Sequence, residues 1–279
     1  MENDLLKNFR YKKNLGQNFI TDKNILKAIV SDAGVTENDD VVEIGTGAAT
    51  LTACLADKAR SVVSFEVDED LIPIQNQTLS GRQNVRVVFR DVLKTTDEEL
   101  VQWVPEKFKI VANLPYYVTT PMIMRFAESD LGVTSMTLMM QKEVGERLIA
   151  RKGTAEYGAI TVALEAVASV KIVREVSRRL FYPVPNVDSV VVRIDFDKNK
   201  YDFKDFALFK KTVKAAFCMR RKTLVNNLVS AFSMPKETAE RVVTEAGFSP
   251  LVRGEALSCA DLIAVTDALS LALCPPTRP

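Results

Sequence analysis

The chain has 279 residues, of which 47% are hydrophobic, and its 37 basic residues nearly balance 36 acidic ones. This length permits a large core and two domains, and the balanced charge means that a polyanionic partner must be met by local basic patches. The absence of histidine excludes serine–histidine and cysteine–histidine nucleophiles, histidine-ligated metals and histidine bases.

The cysteines and the apolar runs indicate the compartment. Cys54, Cys218, Cys259 and Cys274 form no Cys-x-x-Cys pair, which favours a reduced, cytoplasmic chain without a structural metal. Residues 1–14 lack the apolar centre of a signal peptide, and no uncharged apolar run approaches the roughly 18 residues of a membrane span. We therefore expect a cytoplasmic protein that binds neither metal nor membrane.

Short apolar runs alternate with amphipathic segments along the first two-thirds of the chain. The predicted strands are Val41–Ile44, Ser61–Glu66, Val85–Phe89, Lys109–Ala112, Val133–Met140, Val170–Val176 and Ser189–Phe196. The helices predicted between them include Asp22–Ala33, Leu51–Ala59 and Pro121–Ala127. Alternation of this kind predicts an open α/β sheet.

The pattern becomes purely helical after a polar stretch at residues 197–202. The predicted helices are Phe206–Phe217, Arg221–Phe232, Lys236–Ala246 and Ser258–Leu273. We therefore predict an α/β domain at residues 1–198 and a small helical domain at residues 199–279.

Three successive strand ends carry residues that suit a nucleoside. The first strand runs into Gly45-Thr46-Gly47, a turn that lets a ligand approach the backbone closely. Glu66 ends the second strand, where an acid can accept from ribose hydroxyls, and Asp91 follows the third, where a carboxylate can accept from an adenine amine. A plain structural alternative stays open for each acid: a solvated strand end for Glu66 and a helix N-cap for Asp91.

The fourth strand ends in Asn113-Leu114-Pro115-Tyr116, which combines a side-chain amide, stiffened carbonyls and an aromatic ring. This set suits a flat base that carries an exocyclic amine, and the alternative is a proline turn with Tyr116 in the core. Strand ends of an open α/β sheet meet at its ligand-binding edge. A nucleoside cofactor beside an amine-binding tetrad indicates S-adenosyl-L-methionine and amine methylation.

Motifs along almost the whole chain resemble those of the KsgA-type ribosomal RNA adenine dimethyltransferase family. They are Leu15–Phe19, Glu43–Gly47, Glu66, Asp91, Asn113–Tyr116, Thr119–Pro121, Phe181–Ser189 and Arg220–Leu224. The resemblance implies a Rossmann-like S-adenosylmethionine-dependent methyltransferase domain, followed by a helical RNA-binding domain. It also implies a monomer that dimethylates two adjacent adenosines in a hairpin loop near the 3′ end of 16S rRNA and contributes to small-subunit biogenesis.

The resemblance also assigns site residues. The implied cofactor contacts are Asn18, Ile20, Gly45, Glu66, Asp91 and Asn113. The implied catalytic residues are Asn113, Leu114, Pro115, Tyr116 and Phe181, with a flipped adenosine stacked between the two aromatic rings. The chain departs from the family pattern at three positions, with Ile20 for leucine, Thr46 for proline and Ala49 for a frequent glycine.

The residue types suggest a mechanism that needs no histidine. The lone pair of the adenine amine is delocalised into the ring, and two acceptors, Asn113 Oδ1 and the Leu114 carbonyl, would localise it. The methyl sulfonium is already an activated electrophile, so in-line positioning supplies much of the catalysis. The proton leaves the cationic product after transfer, and no general base is required.

Residues 206–236 carry a local charge of +7 with no acidic residue. The basic residues are Lys210, Lys211, Lys214, Arg220, Arg221, Lys222 and Lys236, and two further basic groups lie at Lys7–Lys13 and Arg147–Lys152. A solvated face is the alternative for any one run. We expect RNA phosphates to bind at Arg147, Arg220, Arg221 and Lys222, because the same chain carries a base-binding tetrad.

Three other functions stay open. A large-subunit rRNA methyltransferase that confers antibiotic resistance shares the catalytic domain, and the segment Arg220–Leu224 argues for the small-subunit family. A DNA adenine methylase usually has proline where this chain has Leu114. A ribosome-assembly or transcription factor would have lost catalysis, which the retained acids and Asn113 oppose.

Overall fold

The computed structural model describes residues 19–20, 22–115 and 118–273. Contacts within the chain divide it into two compact units. Residues up to 145 and 170–196 form an α/β unit, and residues 146–169 and 197 onward form a helical unit. This division differs from the single predicted boundary near residue 198. Residues 146–169 lie between two strands and resemble a sheet crossover in sequence, but their short helix packs with the helices that follow.

All seven predicted strands are confirmed, and two very short strands were not predicted. The strands are β1 Phe19–Ile20, β2 Asp40–Ile44, β3 Ser61–Glu66, β4 Val85–Phe89, β5 Phe108–Asn113, β6 Val133–Gln141, β7 Ala168–Val176, β8 Phe181–Tyr182 and β9 Ser189–Phe196. Strands β1 and β8 pair with each other, and the other described strands form a sheet in the order β4-β3-β2-β5-β6-β9-β7.

Strands β2 to β6 are mutually parallel where they pair, and β9 runs antiparallel to β6. Because the strands are parallel, the carboxyl ends of β2, β3, β4 and β5 meet at one edge of the sheet. The buried strand β2 lies centrally, between β3 and β5, so its last residues are surrounded by both neighbours. This arrangement positions the predicted strand-end residues beside one another.

Among the described residues, five helices accompany the sheet, and their ends follow from local sequence. They are α1 Lys23–Asp32, α2 Thr50–Ala56, α3 Ile72–Thr78, α4 Asp97–Leu100 and α5 Thr119–Glu128. Asp22 begins α1 by accepting from the backbone N–H groups of Asn24 and Ile25. Thr96 and Glu99 form a capping box at α4. The apolar face of α1, including Leu26 and Ile29, packs into the core beside β2.

The helical unit confirms the helical pattern of the second part of the chain. Its helices follow α6 Lys142–Leu148 and are α7 Ala159–Glu165, α8 Phe206–Cys218, α9 Leu224–Phe232, α10 Lys236–Glu245 and α11 Cys259–Leu273. Helix α8 packs against α7, α9 and α11. The predicted start of α9 at Arg221 is wrong, because the Thr223 hydroxyl caps the helix at Asn226 N and leaves residues 220–222 in the preceding turn.

The described helices contain none with both the length and the apolar character that crossing a membrane requires.

Candidate cofactor and target-base site

A cavity of about 550 Å³ lies at the carboxyl edge of the parallel strands. It is lined by eight of the predicted site residues: Ile20, Gly45, Glu66, Asp91, Asn113, Leu114, Pro115 and Phe181. Two other predicted site residues, Asn18 and Tyr116, lie outside the described residues. The sheet topology therefore gathers residues from four strand ends and from the β1–β8 pair, although they are far apart in sequence.

The glycine turn after β2 brings backbone close to the cavity. Gly45 has a φ of +85°, and a side chain added there would lie 3.8 Å from the Asn113 carbonyl oxygen. Its backbone N–H donates to Phe65 O over 2.8 Å. Ala49 has a φ of 61° and is fully buried at the start of α2. The position where the family often has glycine thus adopts the left-handed conformation that glycine prefers.

Glu66 organises this turn, and the alternative of a solvated strand end is wrong because the residue is buried. One carboxylate oxygen accepts from Gly47 N over 2.8 Å, and the other accepts from Val67 N and Asp68 N over 2.7 and 2.9 Å. Gln75 Nε2 donates to Gly47 O over 3.0 Å. The acid at the end of β3 therefore fixes the loop after β2 as well as facing the cavity.

Asp91 begins a short 3-10 turn, which confirms the N-cap alternative, and it lines the cavity as well. Its Oδ1 accepts from Leu93 N over 3.0 Å, and its Oδ2 lies 3.2 Å from Lys94 Nζ. The loop behind it is anchored by Arg125 on α5, which donates to Thr95 O over 2.6 Å and pairs with Asp97 over 2.9 Å. Arg125 was not predicted, because its partners are recognisable only once α5 packs beside this loop.

The Asn-Leu-Pro segment leads from β5 into α5. Asn113 is the last residue of β5, and Leu114 is buried with only 2% of its surface exposed. The Pro115 carbonyl accepts from Val118 N over 3.1 Å, so the proline turn leads directly into α5. The Pro115 carbonyl is therefore held by α5 and the turn before it in the absence of ligand.

Phe181 reaches the cavity through the β1–β8 pair. Its backbone position faces Ile20 across the two strands, and both side chains are buried at the cavity wall. Thr50 Oγ1 donates to Ile20 O over 3.4 Å and connects this pair to α2. No sequence pattern indicated the pairing, because each strand has only two residues and the two are separated by most of the α/β unit.

Glu43 is a cavity-lining acid to which the sequence assigned no role. It is 1% exposed, and its Oε2 accepts from Thr52 Oγ1 over 2.5 Å and from Ser64 Oγ over 2.6 Å. Thr46 Oγ1 lies 2.6 Å from Ser64 Oγ and completes a buried hydroxyl cluster. Burial, with a smaller contribution from the charge of Glu66, raises the pKa of Glu43 to about 8.

The basic residues of the predicted segment 206–236 are exposed. Arg220 pairs with Glu255 over 3.5 Å, and Lys236 with Glu240 over 3.6 Å, so acids from outside the segment or just after it offset part of its charge. Lys211, Lys214, Arg221 and Lys222 form no ion pair with any residue that the structure describes. Arg147 is likewise exposed, and its carbonyl accepts from Thr161 Oγ1.

In the described ranges, no three acidic or cysteine side chains come together in a way that would hold a metal ion.

Comparison with known proteins gives consistent similarities. A family model described as ribosomal RNA adenine dimethylase matches residues 8–264. Ribosomal RNA small subunit methyltransferase A of Clostridioides difficile (strain 630) is 42% identical over 94% of this chain and 92% of that protein. A dimethyladenosine transferase from Plasmodium falciparum has a similar fold, with a TM-score of 0.76 and 24% identity over 88% of this chain and 95% of that one. The 23S rRNA methyltransferase ErmE gives a TM-score of 0.67 and 26% identity over 90% and 99% of the two chains.

Proposed function

This chain belongs to the ribosomal RNA adenine dimethylase family and is an rRNA adenine dimethyltransferase, and we propose that its methyl donor is S-adenosylmethionine and its substrate the small ribosomal subunit. The products are two adjacent N6,N6-dimethyladenosines in a hairpin loop near the 3′ end of 16S rRNA. One observation carries the proposal: a single cavity contains the glycine turn, the two strand-end acids and the Asn-Leu-Pro segment.

The residues around the cavity fit the proposed cofactor. Gly45 leaves room for close approach to the backbone, and the carboxylates of Glu66 and Asp91 face the cavity as acceptors for ribose hydroxyls and an adenine amine. When bound, the cofactor supplies an activated methyl group on its sulfonium.

The chain's own contribution to the reaction is to position the target amine. Asn113 and the Leu114 carbonyl act as two acceptors that align the amine hydrogens and localise the nitrogen lone pair toward the methyl group. Leu114 is buried and the adjoining Pro115 carbonyl accepts from Val118 N, which supports acceptors that need little reorganisation. Phe181 stacks on the extruded base, with Tyr116 on its other side.

RNA binding is assigned to exposed cations. Arg220, Arg221 and Lys222 lie in the turn before α9, and Arg147 lies on α6, all with exposed side chains. They bind phosphates of folded RNA and so recognise its shape, while the flipped base supplies chemical selectivity. The chain acts as a monomer without metal.

A large-subunit substrate is the second candidate function, and the similarity to ErmE favours it. The small-subunit relative has the higher sequence identity, 42% against 26%, and both matches cover most of the chain. We therefore place the small subunit first.

The decisive experiment offers purified small and large subunits, taken from a strain that lacks this enzyme, with labelled S-adenosylmethionine. We expect label in 16S rRNA only, with primer extension stopping at two adjacent adenosines. Label in 23S rRNA would reverse the order of the two candidates. Absence of label in both, with subunit binding retained, would indicate an assembly factor without catalysis.

A further inference from the structure

Gly47, the second glycine of the turn after β2, is held at both of its backbone polar groups. Its N–H donates to Glu66 Oε2 over 2.8 Å, and its carbonyl oxygen accepts from Gln75 Nε2 over 3.0 Å. Gly47 has a φ of 54°, in the left-handed region that glycine enters at little cost. Because glycine can leave this conformation as easily, hydrogen bonds from outside the turn are needed to keep it in one shape.

The two side chains that hold Gly47 come from one short stretch of the α/β unit. Glu66 ends β3, and Gln75 lies on α3, the first α-helix after that strand. Their side chains return to Gly47 from opposite ends of the segment between them, and we call this pair the Gly47 clasp. Sequence reasoning assigned a role only to Glu66.

Gln75 acts from behind the cavity wall. It is 2% exposed and is not among the described residues that line the cavity, whereas Gly47 and Ala48 are. In a trans peptide, the carbonyl and the following N–H point in opposite directions. The bond from Gln75 to Gly47 O therefore also fixes the direction of the Ala48 N–H, in the wall that a ligand meets.

Packing alone does not explain a glutamine at this position. A buried amide costs free energy unless it is hydrogen-bonded. Leu71, one helical turn earlier, is buried and apolar, so an apolar side chain at position 75 would suit the same surroundings. What the amide adds is its hydrogen bond to the glycine turn.

Resting on the proposed cofactor, we propose that Gln75 is a positioning residue for cofactor binding. Its amide holds the Gly47–Ala48 peptide in the orientation that S-adenosylmethionine meets, and it acts through the Gly47 clasp. Because it does not touch the reacting atoms, its contribution is equal in the ground state and in the transition state. Its loss should raise the KM for S-adenosylmethionine in rRNA methylation and leave kcat at saturating cofactor unchanged.

Gln75→Met removes the donor and keeps an unbranched side chain of similar size. We expect its affinity for S-adenosylhomocysteine, measured by titration calorimetry, to fall about threefold to tenfold, which is the range of one neutral hydrogen bond. Gln77→Met is the matched control, because Gln77 is exposed on the same helix. Gln75→Leu also lacks the donor and carries the test if the methionine variant folds poorly.

A double-mutant cycle with Glu66→Ala separates positioning from a general structural role. If Gln75 acts through the Gly47 clasp, Gln75→Met should cost much less affinity in the Glu66→Ala background, because Gly47 is already released at its N–H. A side chain that only stabilises the fold would lower the affinity by the same factor in both backgrounds.

The outcomes separate this assignment from the proposed function. Equal affinities of Gln75→Met and Gln77→Met would overturn the role of Gln75 and leave the cofactor intact. Equal factors in the two backgrounds, or a fall in kcat with an unchanged KM, would overturn it as well. Failure of the wild-type protein to bind S-adenosylhomocysteine or S-adenosylmethionine would overturn the proposed cofactor itself.

Discussion

The cavity of the α/β unit and the basic turn of the helical unit are built in opposite ways. In the cavity, the carboxylates of Glu43 and Glu66 accept hydrogen bonds from several residues on other elements, and most of the lining is buried. In the turn, Arg221 and Lys222 are exposed and form no ion pair within the described chain. In a site held by a connected hydrogen-bond network, one substitution is expected to cause a large loss of activity or ligand affinity. Exposed cations instead contribute nearly independently to RNA affinity, and their contributions weaken as the salt concentration rises.

The largest effect is expected at Asn113. Asn113→Ala removes one of the two acceptors for the target amine, and we expect methyl transfer to fall by roughly 10²-fold or more. Binding to small subunits should be nearly unchanged, because the amide contacts no phosphate. Single-turnover transfer and filter binding measure the two quantities. Near-normal turnover would show that amine alignment does not depend on this amide.

Glu43→Gln tests the buried cluster through protein stability. The folded pKa of about 8 lies above the ordinary 4.5, so the neutral acid contributes stability below pH 4.5 that is lost as the pH rises to 8. Urea unfolding at pH 5, 6.5 and 8 measures this. As the pH rises, the free energy of unfolding of the wild type should fall relative to that of Glu43→Gln. The loss should be on the order of a few kcal/mol, since one pKa unit corresponds to about 1.4 kcal/mol. The opposite slope would mean that Glu43 is ionised in the free protein.

Glu66→Ala should weaken cofactor binding by about 1–3 kcal/mol, because backbone donors of the glycine turn lose their acceptor. Glu69→Ala is a matched control, since Glu69 is exposed three residues later and removes the same charge. Calorimetric affinity for S-adenosylhomocysteine measures both. Equal affinities of the two variants would remove Glu66 from the site.

The smallest effect per residue is expected in the basic turn. Reversing the charge of Arg221 and Lys222 by substitution with glutamate should weaken binding to small subunits. The slope of log affinity against log salt concentration should become shallower by about one for each lost phosphate contact. Reversal of Lys27 and Lys58, which are exposed on the α/β unit, is the control with the same charge change. Cofactor affinity should stay constant in both. An unaltered slope in the first variant would mean that the RNA docks elsewhere.

The two regions also differ in what the sequence could predict. Strand ends are marked by short apolar runs and by Gly45, so the positions of Glu66, Asp91 and Asn113 at one sheet edge followed from the parallel topology. Periodicity did not locate the start of α9, because Arg221 and Lys222 fit the helical pattern of the sequence. The helix begins only after these residues, at its N-cap Thr223. Local hydrogen bonding overrides the repeat at such ends.

Glu43 shows the limit of sequence reasoning most clearly. It stands between two apolar residues in the strand before the glycine turn, where an acid is easily taken as part of the motif. Its significance depends on Thr52 and Ser64, which lie on a helix and a neighbouring strand, and on burial that only tertiary packing creates. Neither property has a local signature in the chain.

Thr46 stands where the sequence resemblance led us to expect proline, and both its hydroxyl and its N–H make contacts in this structure. Proline has no hydroxyl to donate to Ser64 and no N–H for the Phe65 carbonyl, which Thr46 contacts over 3.2 Å. A Thr46→Pro variant of this chain would therefore lose both contacts, and the hydroxyl cluster around Glu43 would be reduced to Thr52 and Ser64.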